Sequence, residues 1–217
     1  MTDGPKWREH LARHGLLAFQ RACAARPLTV HAGRFLFLRH GETNGNHQRI
    51  IQAPTIELND TGRRQAARAA TQLVGRGVQR IVASTVNRAW ESANIVGREI
   101  GVTPQPDDRL RERNFGDLIG SPSHDLNWAN NPPNGETMLQ FVDRVQSGVR
   151  EALESDESTL LIAHGGTLYA LAYSLGVEVH QDMIGNATPL VFTRGAAGWK
   201  AEHLAANDDS PRDDNIG

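Results

Sequence analysis

Arg34-Phe35-Leu36-Phe37-Leu38-Arg39-His40-Gly41-Glu42-Thr43 is the stretch whose reading decides the fold. The apolar run 35–38 is the pattern of a short strand buried on both faces. It stops abruptly at a guanidinium, an imidazole and a glycine. A strand that ends this way delivers those groups to the carboxyl edge of a sheet, where ligands sit in open α/β folds. A lone Arg-His at a strand end is more often incidental surface. A second stretch of the same design, Thr159-Leu160-Leu161-Ile162-Ala163-His164-Gly165-Gly166, argues against that here. Two apolar strands that each end in His-Gly are hard to explain by core packing. Arg13-His14-Gly15 repeats the tripeptide without a preceding strand, amid helix-like spacing of Trp7, Leu11 and Ala18, and is read as a chance copy.

The chain has 217 residues, long enough for one domain with a sizeable core. A formal net charge of −2 gives no reason to expect nucleic-acid binding. Cys23 is the single cysteine, so an internal disulfide is impossible and a reducing, cytoplasmic setting is expected. No apolar run approaches the ~20 residues of a membrane span. Residues 1–33 are basic and read as a helical extension, lying on the domain or serving a homodimer contact. Residues 34–206 read as the catalytic domain, and 207–217, with four aspartates, as a disordered tail.

Between the two His-Gly strands, residues 44–54 read as a loop. Asn59-Asp60-Thr61 supplies capping groups for a helix over 62–74. A buried strand is expected at 80–84, a helix at 87–100 and a short extended piece at 102–106. A loop-rich section, 107–135, precedes a long amphipathic helix in which Met138, Phe141, Val142, Val145, Val149 and Leu153 recur at spacings of three and four. A helix over 167–175 and strands at 189–193 and 199–204 complete an alternating pattern. That alternation predicts a three-layer α/β/α sandwich with a mostly parallel sheet.

The polar groups leaving strand ends or opening helices are Arg39, His40, Asn46, Arg88, Glu112 and His164. Guanidinium forks match phosphate oxygens and stay charged at any working pH. A helix N-terminus at His164-Gly165-Gly166 adds N–H donors, and the glycines permit close approach of an oxyanion. Neighbouring positive charge keeps a histidine neutral and nucleophilic. His40 is then suited to attack phosphorus, and Glu112 to protonate the leaving alcohol and later deprotonate water. Arg39, Arg88 and a protonated His164 are expected to stabilise the equatorial oxygens. Each residue has a plainer reading: Arg88 as an exposed helix residue, Glu112 as half of an ion pair with Arg111 or Arg113, His164 as a satisfied core histidine. No Cys/His cluster accompanies the two histidines, and two arginines would repel a dication, so neither a metal nor another cofactor is expected.

Taken together the motifs resemble the histidine phosphatase superfamily, which includes the cofactor-dependent phosphoglycerate mutases. The matching pieces are 39–43 with Asn46, 58–62 with Gln65-Ala66, 84–89 with Ala93, Glu112 with Phe115-Gly116, 134–137 and 164–166. The resemblance implies a three-layer α/β/α fold, phosphorylation on His40, phosphoryl binding by Arg39, Arg88 and His164, and proton donation by Glu112. Where the mutases carry tyrosine this chain has Phe115, and residues 117–136 contain no Lys or Arg to retain a doubly phosphorylated ligand. These departures favour a metal-independent phosphatase acting on a small phosphorylated substrate. The alternatives are a phosphoglycerate mutase and a non-catalytic phospho-ligand binding module. Gly45 replaces the tryptophan that often precedes the motif's asparagine, and Gln52-Ala53 stands where many members have Gln-Gly. Gln52, Arg49, Arg113 and Trp128 are therefore expected at the pocket rim.

Overall fold

The computed structural model describes residues 6–205; the tail expected to be disordered lies outside them. In chain order the elements are α1 (Lys6–Ala24), β1 (Arg34–Arg39), α2 (Asn44–Gln48), α3 (Asp60–Leu73), β2 (Arg80–Ser84), α4 (Asn87–Ile100), β3 (Pro104–Asp107), α5 (Met138–Ala152), β4 (Thr159–Ala163), α6 (Gly165–Ser174), β5 (Pro189–Gly195) and β6 (Gly198–His203). One sheet carries all six strands in the order β3-β2-β4-β1-β5-β6. The first four are mutually parallel, while β5 runs antiparallel to β1 and to β6. The fold is α/β with helices on both faces.

The alternation of side chains along each strand explains why both faces must be covered. Phe35, Phe37, Val82 and Leu161 point into a core shared with α1, α5 and α6. Leu36, Leu38, Ile81, Leu160 and Ile162 point the other way, onto α3 and α4. The central stretches 35–38, 81–83 and 160–163 are thus apolar at every position, the pattern of strands buried on both faces. At the edge, β3 pairs with β2 alone, and its two prolines, Pro104 and Pro106, are tolerated there because an edge strand has N–H groups to spare.

Three boundaries differ from expectation, each for a local reason. The 44–54 loop contains a short helix, α2, because Thr43 and Asn46 form a reciprocal capping box. Asn59 caps α3 by accepting from the Gly62 N–H, so that helix starts at Asp60 rather than Gly62. Likewise α6 begins at Gly165, directly after His164 as its N-cap, two residues earlier than expected. Within 107–135 the chain makes three single 3₁₀ turns and otherwise irregular structure.

The loop leaving β1 presses against the start of α3. A Cβ on Gly41 would lie 2.3 Å from the Gly62 carbonyl oxygen, and one on Gly62 would lie 2.0 Å from that of Glu42. Both obstacles are backbone and cannot rotate away. Gly62→Ala should therefore cost about 1–3 kcal/mol in urea unfolding, although alanine is the better helix former. Unchanged or increased stability would mean that the β1–α3 crossing is looser than described.

Candidate active site

The register of two neighbouring parallel strands builds the centre of the site. Arg39 on β1 is opposite Ala163 on β4, so His40 and His164 each stand one residue past the strand ends, side by side. Their ring centroids are 5.2 Å apart. On the other flank of β4, Ser84 ends β2 and its Oγ lies 2.8 Å from His164 Nε2. The chain then enters α4, whose first turn carries the buried Arg88. Arg88 Nε donates to His40 Nε2 at 3.2 Å, and its Nη1 donates to the Ala53 carbonyl at 3.1 Å. His40 Nδ1 is 2.7 Å from the Gly41 carbonyl oxygen, which can only accept. The proton therefore sits on Nδ1 and the lone pair on Nε2.

Arg39 donates through Nη1 to the Ile184 carbonyl. Its Nε has no partner, and neither has Nδ1 of His164; with Ser158 Oγ they are the buried, unpartnered side-chain atoms of the described residues. A Cβ on Gly165 would be 3.7 Å from that Nε, which places the orphan donor beside the first turn of α6. Arg39 Nε can only donate, and a buried donor without a partner is costly, so it marks a place for an acceptor oxygen; His164 Nδ1 adds a second such place when its ring carries the proton there.

Burial, reinforced by Arg88 and Arg39, holds His40 well below the usual histidine range against a smaller upward pull from the Gly41 carbonyl. Burial and the same arginines, with His40, also push His164 well below that range. Both shifts favour neutral rings at neutral pH, which runs against the expectation of a protonated His164; complete burial between two guanidinium groups disfavours a third cation. Arg88 itself is pulled down to about 10 by desolvation and remains charged at neutral pH.

Glu112 is neither an ion-pair partner nor free. Its Oε2 accepts the Gly166 N–H at 3.0 Å and its Oε1 the Arg113 N–H at 3.0 Å. The side chains on either side are engaged elsewhere: Arg111 pairs with Asp108, and Arg113 donates to the carbonyls of Trp128, Asn130 and Glu136. Arg113, expected at the rim, is instead the buried staple of the 128–136 loop. A cavity of about 380 Å³ opens over the group, lined by Arg39, His40, Asn46, Gln52, Arg88, Glu112 and Gly165 together with Arg49 and Trp128. The Asn46 Oδ1 accepts the Thr43 N–H in the α2 capping box, and Gln52 Oε1 accepts from the Thr43 hydroxyl at 2.6 Å.

Sequence reasoning missed Tyr169, Ile184 and Asn186, which also line the cavity. Asn186 donates to the His40 carbonyl at 2.9 Å. Tyr169 had a usable signal, since it lies four residues after Gly165 on the same helical face. Ile184 contributes a backbone oxygen and left none.

The histidine phosphatase superfamily (branch 1) model matches residues 35–207. The chain belongs to that superfamily. A glucosyl-3-phosphoglycerate phosphatase of Mycolicibacterium vanbaalenii is 33% identical over 202 residues, covering 81% of this chain and 87% of the relative. An agropine synthesis reductase of Rhizobium rhizogenes is 34% identical over 182 residues, 78% of this chain; the match spans only 41% of that longer protein. Among solved structures, a mycobacterial glucosyl-3-phosphoglycerate phosphatase in complex with VO3 superposes with a TM-score of 0.66 at 28% identity, covering 81% of this chain and 99% of the other.

The two depressed histidines link stability to pH. Each stays neutral in the fold but takes up a proton near its ordinary 6.5 when unfolded. Their contribution is complete above that value and is lost as pH falls below it, by about 1.4 kcal/mol per pH unit for each ring. Urea unfolding at roughly pH 7.5 and 5.5 should show a shallower loss in His164→Asn than in wild type. Equal slopes would contradict the neutral assignment.

Proposed function

We propose that this chain is a metal-independent phosphomonoesterase that works through a phosphohistidine on His40, with residues 34–206 as its catalytic unit. The observation that carries the reading is the pair of buried, unpartnered atoms Arg39 Nε and His164 Nδ1 beside His40, which lines the cavity. If the Ser84 hydroxyl donates to His164 Nε2, the proton is left on Nδ1 and the neutral ring becomes a donor to a phosphoryl oxygen. Four groups then converge on the three equatorial oxygens: Arg39, Arg88, His164 and the first-turn N–H of Gly165, with Asn46 at the side.

Arg88 Nε donates to the His40 Nε2 lone pair. An incoming phosphate dianion is the stronger acceptor, so its arrival draws the guanidinium onto oxygen and frees Nε2. The lone pair attacks phosphorus, the ester P–O bond breaks, and the departing alkoxide takes a proton from Glu112. The Gly41 carbonyl stabilises the positive charge that develops on the ring through Nδ1–H. In the second half, Glu112 removes a proton from water as the water oxygen attacks phosphorus. The N–P bond breaks, the pair returns to Nε2 and inorganic phosphate leaves. The charged Arg39 and Arg88 beside the histidines repel a dication, which supports chemistry without a metal. The names of the phosphatase relatives support hydrolysis, and Phe115 at the pocket wall offers no hydroxyl to hold a substrate for re-transfer.

Phosphate release from a panel of monoesters should persist in EDTA and vanish in His40→Ala. Activity of the variant near wild type would remove the nucleophile. Glu112→Gln should slow alkyl phosphates by about 10²–10⁴-fold. Its first turnover of p-nitrophenyl phosphate, whose leaving group needs no acid, should remain near the wild-type rate. Equal losses on both substrates would deny Glu112 the acid role.

A further inference from the structure

A phosphoryl group fills only the floor of the 380 Å³ cavity, and the wall beside it is shaped by Trp128, an irregular-loop residue. The indole reaches the chemistry: a Cβ on Gly166 would lie 2.6 Å from Trp128 Cη2 and 2.2 Å from Glu112 Oε1. What holds the indole lies on α1, outside the residues that match the superfamily model. The fully buried Phe19 stacks on it with centroids 5.1 Å apart and planes inclined by 16°. One turn earlier, Gly15 lets the helix backbone close on the loop. A Cβ there would meet Asn127 Oδ1 at 2.4 Å and the Trp128 backbone nitrogen at 2.9 Å. That amide oxygen is itself tied to the Ala129 N–H, and the Trp128 carbonyl is tied to Arg113, so neither side of the contact yields cheaply.

We infer that α1 is a specificity element: Gly15 and Phe19 are positioning residues that set Trp128 as the wall against which the alcohol part of the substrate packs. The substrate class that fits is a phosphomonoester whose alcohol presents a flat or apolar face, because Leu126, Phe115 and Tyr169 line the cavity beside the indole. Trp128 meets Phe115 edge-on at 5.5 Å and Tyr169 at 6.4 Å, so the wall is a packed aromatic cluster rather than a mobile rim. Buttressed from behind by Phe19, the indole has one face already committed, and only its cavity side is left for a ligand.

The inference rests on the phosphatase reading, and two substrates keep the two apart. Ethyl phosphate offers the phosphoryl group without a flat face, and 1-naphthyl phosphate offers both. In Gly15→Ala and Phe19→Leu, KM for naphthyl phosphate should rise about three- to tenfold, the worth of one aromatic contact, with kcat and KM for ethyl phosphate held within about twofold. Gly15→Ala is the cleaner variant, since alanine favours the helix and disturbs only its approach to the loop. Trp128→Leu should lose the same selectivity, and adding Gly15→Ala to it should change nothing further. Equal losses on both substrates, an unmoved KM ratio, or additive effects in the double variant would overturn the role of α1. Wild type that releases phosphate from neither compound would instead overturn the phosphatase reading itself.

Discussion

The parallel pairing of β1 with β4 is the constraint on which the site depends. With Arg39 opposite Ala163, two histidines from positions more than a hundred residues apart leave the sheet at one level. A slip of one residue would exchange phenylalanines and leucines between the two differently shaped cores and part the two rings, so the core packing that fixes register also fixes the site. Phe35 and Phe37 on one face, and Leu36 and Leu38 on the other, make such a slip expensive. The geometry of the site is a by-product of hydrophobic burial.

Charge follows from the same placement. Arg39 and Arg88 stand beside two rings that burial keeps neutral, with Glu112 as the one carboxylate whose field reaches both guanidinium groups. Such a site is short of negative charge and of acceptor oxygens at once. A phosphoryl dianion supplies both. Cys23, buried on the far side of the core, is a poor nucleophile because desolvation pushes its thiol up to about 12.

Much of this was legible in the sequence, and for physical reasons. Buried parallel strands must be apolar at every position, so 35–38 and 160–163 could be recognised without neighbours. His-Gly at both ends announced the sheet edge. Glu112 could be named only through motif order, because nothing local distinguishes it from its arginine flanks; its role is set by the Gly166 N–H, fifty-four residues away. Arg113 was misplaced for the same reason. A guanidinium that serves three backbone carbonyls looks, in sequence, like one that faces a ligand. Asn186 and Ile184 were invisible, since they act on the site from a segment without periodicity. The closeness of α1 to the pocket was equally hidden: Gly15 reads as a flaw in a helix until Trp128 is seen beside it.

The most direct test of the central claim is to find the phosphorus. Glu112→Gln should pass through the first half-reaction with p-nitrophenyl phosphate and stall in the second for want of a base. Quenching that reaction in alkali, which preserves a phosphoramidate bond, and mapping peptides by mass should place one phosphoryl group on His40, and none should be found when His40 is also replaced by alanine. Phosphate on His164, or no protein-bound phosphate during continuing turnover, would contradict a phosphohistidine mechanism at His40.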